Sequence, residues 1–98
     1  MLFYVAWKPR AGISSDQQKK AFEMFARWTP PTGLDIKQMY ALVDGRGFCV
    51  CDCDTAATAY AAMAPWAAIY NDYDIVPIVE MAQGVELLNA AFAFRDGS

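Results

Sequence analysis

Residues Leu34 to Cys53 read LDIKQMYALVDGRGFCVCDC, two apolar-rich runs on either side of Asp44-Gly45-Arg46-Gly47. An Asp-Gly step between runs of strand-forming residues is a hairpin signal, and the length of the loop sets which side chains share a face. A two- or four-residue loop pairs Val43 with Phe48, Ala41 with Val50 and Tyr40 with Cys51. One face then carries Met39, Ala41, Val43, Phe48 and Val50, and the other carries Gln38, Tyr40, Leu42, Cys49, Cys51 and Cys53. A three-residue loop would scramble that assignment.

On the N-terminal side, Leu2 to Lys8 reads as a strand that Pro9 and Gly12 stop. Ser14 or Ser15 caps a helix, with Gln17 and Gln18 placed as in a capping box. Phe22, Phe25 and Ala26 form its apolar face, and Pro30, Pro31 and Gly33 end it at about Trp28.

On the C-terminal side, Asp54 is the expected N-cap of a second helix carrying eight alanines between Ala56 and Ala68. Pro65 ends its regular part near Ala64 and leaves Trp66 to Tyr70 as a kinked or separate turn. Tyr73 to Met81 is the last strand, and Pro77 within it points to an edge, a bulge or an unpaired donor position. Gln83 to Phe94 forms a short closing helix.

The expected fold is therefore α+β: a ferredoxin-like β-α-β-β-α-β order with an antiparallel sheet, both main helices on one face and an extra C-terminal helix, in one domain. The strands carry apolar residues on both faces, and 56% of the 98 residues are hydrophobic. Two helices on one side leave the other face bare. A second copy packed sheet to sheet would bury it, giving a homodimer with a barrel-like interior.

Composition narrows the partners. A net charge of −3 with eight scattered Lys and Arg offers no stripe for a phosphate backbone, so nucleic acid is disfavoured. No apolar run reaches a membrane span, and Met1 to Lys8 lacks the basic flank of a signal peptide, so the expected location is cytoplasmic with no membrane partner. Three cysteines within five positions make no secreted disulfide framework and suit a reducing compartment.

Gly33-Leu34, Phe48, Cys53-Asp54, Trp66 and Ile75-Val76-Pro77 resemble an uncharacterised family of roughly hundred-residue proteins, over about Met1 to Val85. The resemblance implies membership of the dimeric α/β barrel superfamily, which includes cofactor-free monooxygenases, haem-degrading enzymes and lactone isomerases. Function does not travel with such a fold, and the family supplies no catalytic residues to carry over. With no histidine in the chain, an axial histidine for haem is impossible.

The run Cys49-Val50-Cys51-Asp52-Cys53-Asp54 has the look of a metal or redox motif, but its spacing argues otherwise. Residues two apart in a strand stand about 6.6 Å apart and four apart about 13 Å, whereas two thiolates on one zinc are near 3.8 Å. No single ion collects all three, and no metal site is expected. Small hydrophobic thiols filling a packed face are the plain explanation.

The missing histidine also removes the commonest general base, so proton transfer would fall to Tyr, Lys or carboxylates. Asp35, Lys37, Asp72, Asp74 and Glu80 lie on strands or their ends, where solvated edge charges are the ordinary outcome. No Gly-rich phosphate loop is present, and no cofactor is expected.

Aromatic residues are the better lead. Trp7, Phe22, Phe25, Tyr40, Cys51, Tyr60, Trp66 and Tyr70 are the candidate ligand-binding residues, around an apolar space between sheet and helices. Core packing is the competing use of the same side chains. Three functions remain in play: a homodimeric binder of a small, largely apolar organic molecule, a cofactor-independent monooxygenase- or isomerase-like enzyme, and a structural interaction module.

Overall fold

A computed structural model describes residues 1–97. The elements run β1 (Leu2–Pro9), α1 (Ser15–Ala26), β2 (Leu34–Ala41), β3 (Gly47–Cys53), α2 (Ala56–Met63), β4 (Asn71–Ile78) and α3 (Met81–Arg95). The four strands form one antiparallel sheet in the order β2-β3-β1-β4, so the fold is α+β and ferredoxin-like. Pro77 lies in β4, an edge strand, where a missing N–H leaves no break in the ladder.

Local chemistry explains the helix ends. Ser14 caps α1, its hydroxyl accepting from the Gln17 N–H while the Gln17 side chain accepts from the Ser14 N–H. The N-cap of α2 is Thr55 and not Asp54; the Thr55 hydroxyl accepts from the Thr58 N–H at 3.2 Å. Asp54 instead accepts from the Thr58 hydroxyl at 2.5 Å, which helps hold its carboxyl below the usual range. Pro65 closes α2 as expected, and Trp66 to Tyr70 form turns in which Ala68 takes a φ of 65°. That left-handed alanine presents its carbonyl to the Arg10 guanidinium.

The hairpin takes the three-residue loop. Leu42 and Arg46 close it, the Leu42 N–H donating to the Arg46 carbonyl at 2.7 Å, and Val43, Asp44 and Gly45 make the turn. Gly45 supplies the left-handed step at φ 92°, and the Asp44 carboxylate accepts from both the N–H and Nε of Arg46. Tyr40 therefore pairs with Phe48, Met39 with Cys49 and Ala41 with Gly47. A bulge between Ile36 and Gln38 then shifts the register once more, so that Ile36 meets Cys51 and Leu34 meets Cys53.

This corrects the sequence reading of β2. Beyond the bulge its residues exchange faces: Met39 joins the cysteines, while Gln38 and Tyr40 join Phe48 and Val50; the bulge leaves Leu34 and Ile36 on the cysteine face. Val43 is no strand residue at all but the exposed tip of the turn.

The core lies between the sheet and α2. Phe3, Val5, Cys49, Cys51 and Cys53 meet Ala59, Ala62 and Met63, and Trp7, Trp28, Leu34, Ile36, Tyr73 and Ile75 pack around them. The opposite face carries Tyr4, Tyr40 and Phe48 as an aromatic strip, the Tyr4 and Tyr40 ring centroids lying 5.6 and 5.4 Å from that of Phe48, and among the described residues no helix covers it. The C-terminal helix does not close the domain. None of the residues of α3 is buried, and the described chain measures 60 Å along its longest axis.

Candidate functional site

The site is built on a gap. None of the residues of α1 is buried, and between this helix and the sheet lies a cleft of about 410 Å³. Ligand pockets of small organic molecules span roughly 300–1,000 Å³. The cysteine face of β3 forms its floor, with Cys49 and Cys51 in the wall, and Trp7 from β1, Ile36 and Met39 from β2 and Tyr73 from β4 extend it. Phe22, Phe25 and Trp28 hang over it from the α1 side, while Met63 and Trp66 close its α2 end.

One hydrogen bond links the two helical sides of the cleft. The indole Nε1 of Trp66 donates to the Ala21 carbonyl of α1 at 3.0 Å. Trp66 is 5% exposed, so its ring is a buried strut and its polar atom is already used. Trp28 meets it edge-on at 5.7 Å and Phe25 stacks on Trp28 at 6.0 Å, which carries the contact along α1. At the other end the Trp7 indole contacts Tyr73 at 6.4 Å.

Trp7, Phe22, Phe25, Cys51 and Trp66 thus come together in one wall. Tyr40 reaches the same wall, yet its ring packs against Phe48 on the outer face of the sheet, as the hairpin register requires. Tyr60 is 73% exposed on α2, and Tyr70 sits in the turn after it; neither lines the cleft. Trp28, Ile36, Met39, Met63 and Tyr73 line it without having been picked out as binding residues. Tyr73 was legible, since it opens a predicted strand opposite Trp7 at the same end of the sheet. Met39 was hidden by the register.

Electrostatically the floor is held neutral. Burial pushes the thiols of Cys49 and Cys51 up and that of Cys53 to about 11, and burial likewise raises the Tyr73 phenol. All three cysteines are free. The sulfurs of Cys51 and Cys53 lie 3.8 Å apart, closer than the strand spacing of about 6.6 Å suggested. That is a weak S–H contact, far from the 2.05 Å of a disulfide. Among the described residues no group of three or more His, Cys, Asp or Glu is arranged to hold a metal ion.

The strand-edge charges stand apart from the cleft. Lys37 pairs with Asp35 at 2.7 Å, and that bond raises the lysine's pKa; Arg10 lies 3.8 Å from Asp72. These are exposed pairs of little energetic weight. Among the described residues no helix is long and apolar enough to cross a membrane.

A ferredoxin-like α+β domain with an aromatic-walled cleft between α1 and the sheet is the class that fold and site define. The chain matches a family model described as Domain of unknown function (DUF3303) over residues 1–92, and it belongs to that family. No curated protein and no solved structure matches it. Two of the segments that carry the resemblance touch each other: the Asp54 N–H donates to the Gly33 carbonyl at 3.0 Å.

Proposed function

We propose that the protein is a homodimeric binder of a small, largely apolar organic molecule, held in the cleft between α1 and the sheet. The observation that carries this reading is the cleft itself, about 410 Å³ of space walled mainly by aromatic, aliphatic and thiol side chains where a ferredoxin-like core would otherwise be packed solid. Gln18, Arg46 and Asn71 supply a few polar contacts at its margin, a distribution that suits an apolar body with one polar end. The bare sheet face with Tyr4, Tyr40 and Phe48 supports the dimer, since an aromatic strip in water is costly. Free thiols in close file suit a reducing compartment such as the cytoplasm.

Native mass spectrometry of the purified protein tests both halves. A dimer carrying added mass, and thermal stabilisation by planar apolar compounds, is the expected result. A bare-mass species that no such compound stabilises would overturn the binding reading. Turnover of anthrone- or lactone-type compounds would replace it with the enzyme alternative.

A further inference from the structure

The C-terminal helix α3 has no place in the fold of its own chain. Its large apolar residues Met81, Val85, Leu87, Leu88, Phe92 and Phe94 are 47–82% exposed. Met81, Val85, Leu88 and Phe92 repeat at spacings of four, three and four, which aligns them on one stripe, the pattern of a helix seated on another surface. Leu87 and Phe94 lie about 130–150° round the axis at 100° per residue, so a second surface is needed on a different side. An isolated 15-residue helix is marginal in water, so α3 requires such packing to persist.

Surface area indicates what supplies it. A compact monomer of 10.9 kDa should expose about 5,600 Å², and this chain exposes 7008 Å². The surplus is roughly 1,400 Å² per chain, in the range that a stable homodimer buries on each partner. The radius of gyration says the same: 17.1 Å against about 13 Å for a compact chain of this length. α3, which buries no residue, and the open sheet face both add to the surface surplus, alongside the cleft under α1. Arm and open face occur once per chain, which is the stoichiometry that a two-fold pair satisfies with nothing left over.

From this we infer that α3 is an exchanged arm: in a pair of chains, each α3 crosses to the second copy and lays its Met81-Val85-Leu88-Phe92 stripe along the margin of that copy's open sheet face, beside Tyr4, Phe48 and Val76. Leu87 and Phe94 then face the second copy's own arm. The inference rests on the dimer reading above and adds the element that holds the dimer together.

The test uses the full-length chain. Leu88→Glu and Phe92→Glu place charges at positions that are solvent-exposed in a single copy, so the domain should still unfold cooperatively. Analytical ultracentrifugation should give a dimer for the natural sequence and a dissociation constant raised more than ~100-fold in the double variant, because buried unpaired charges are strongly disfavoured. A photo-crosslinker at position 88, in a mixture of ¹⁴N- and ¹⁵N-labelled chains, should join unlike copies into β1, β3 or β4. A dimer that the arm variants leave intact while Phe48→Glu dissociates it would overturn the arm and keep the dimer. Crosslinks confined to single copies would also overturn the arm. A natural chain that is monomeric at micromolar concentration would overturn both.

Discussion

The indole of Trp7 lies against the backbone of Gly47, its cross-strand partner, so closely that a Cβ at position 47 would stand 2.4 Å from Cζ2. Glycine is required there by contact, since its φ is not in the left-handed region. Gly47→Ala should force the indole aside and cost about 1–3 kcal/mol, as overpacking does. Because Trp7 and Tyr73 both line the cleft, the displacement should also change the shape of the cleft. Urea denaturation followed by tryptophan fluorescence checks both effects; an unchanged midpoint and emission maximum would show that the indole is not fixed in this position.

The hairpin shows where sequence reasoning ran out. Element order, a serine cap on α1 and the stop at Pro65 rest on local signals from proline, glycine and capping side chains. The choice of Ser14 over Ser15, and of an edge over a bulge for the Pro77 strand, needed the assembled fold. The face of β2 is not local. Gly45 and Gly47 could each have served the turn, and the choice depends on Trp7, forty residues away, needing a side-chain-free neighbour at Gly47. Once Gly45 takes the left-handed step, Tyr40 goes outward and Met39 inward. The apolar character of α3 was equally legible, but apolarity states only that a helix must be covered, and the short closing helix it suggested is instead a projecting one.

Gly33 meets a double requirement. Its φ is +93°, and a Cβ there would come 2.3 Å from Asp54 Oδ2. Gly33→Ala should therefore destabilise by about 1–3 kcal/mol from the backbone alone, with the clash added. Asp54→Ala removes the obstructing carboxylate together with its exposed bond to Thr58 and should be only mildly destabilising by itself. The double variant should then be more stable than the sum of the singles predicts, by on the order of 1 kcal/mol. Strict additivity in chemical denaturation would mean that the two residues do not press on each other.

Trp66 sets the spacing between α2 and α1. Trp66→Phe keeps an aromatic ring but deletes the Nε1 donor to Ala21 and part of the contact with Phe25 and Trp28. A loss of about 1–3 kcal/mol is expected, distributed unevenly. Amide exchange should quicken in α1, which buries no residue of its own, and stay slow in β1 and β3, which carry the core. Uniform acceleration across the sheet would contradict the assignment of Trp66 as the strut of the cleft.

The cysteine floor makes stability depend on alkaline pH in a defined direction. A thiol is neutral when protonated, and burial raises the folded-state pKa of Cys53 from 9.0 to about 11, with Cys49, Cys51 and the Tyr73 phenol shifted the same way. Between these limits the unfolded chain has released protons that the folded chain still holds, so unfolding becomes easier as pH rises. Stability should be insensitive to these groups below about pH 8, fall from pH 9 to 11, and level off above, with Cys53 contributing on the order of 1–2 kcal/mol. Cys53→Ala should shrink that slope while leaving the neutral-pH value lower through the lost packing of a residue that is 1% exposed. Ellman's reagent gives an independent reading at pH 8: all three thiols should react in guanidinium and almost none in the native protein. A thiol that titrates rapidly without denaturant would show that its sulfur is open to solvent and not buried.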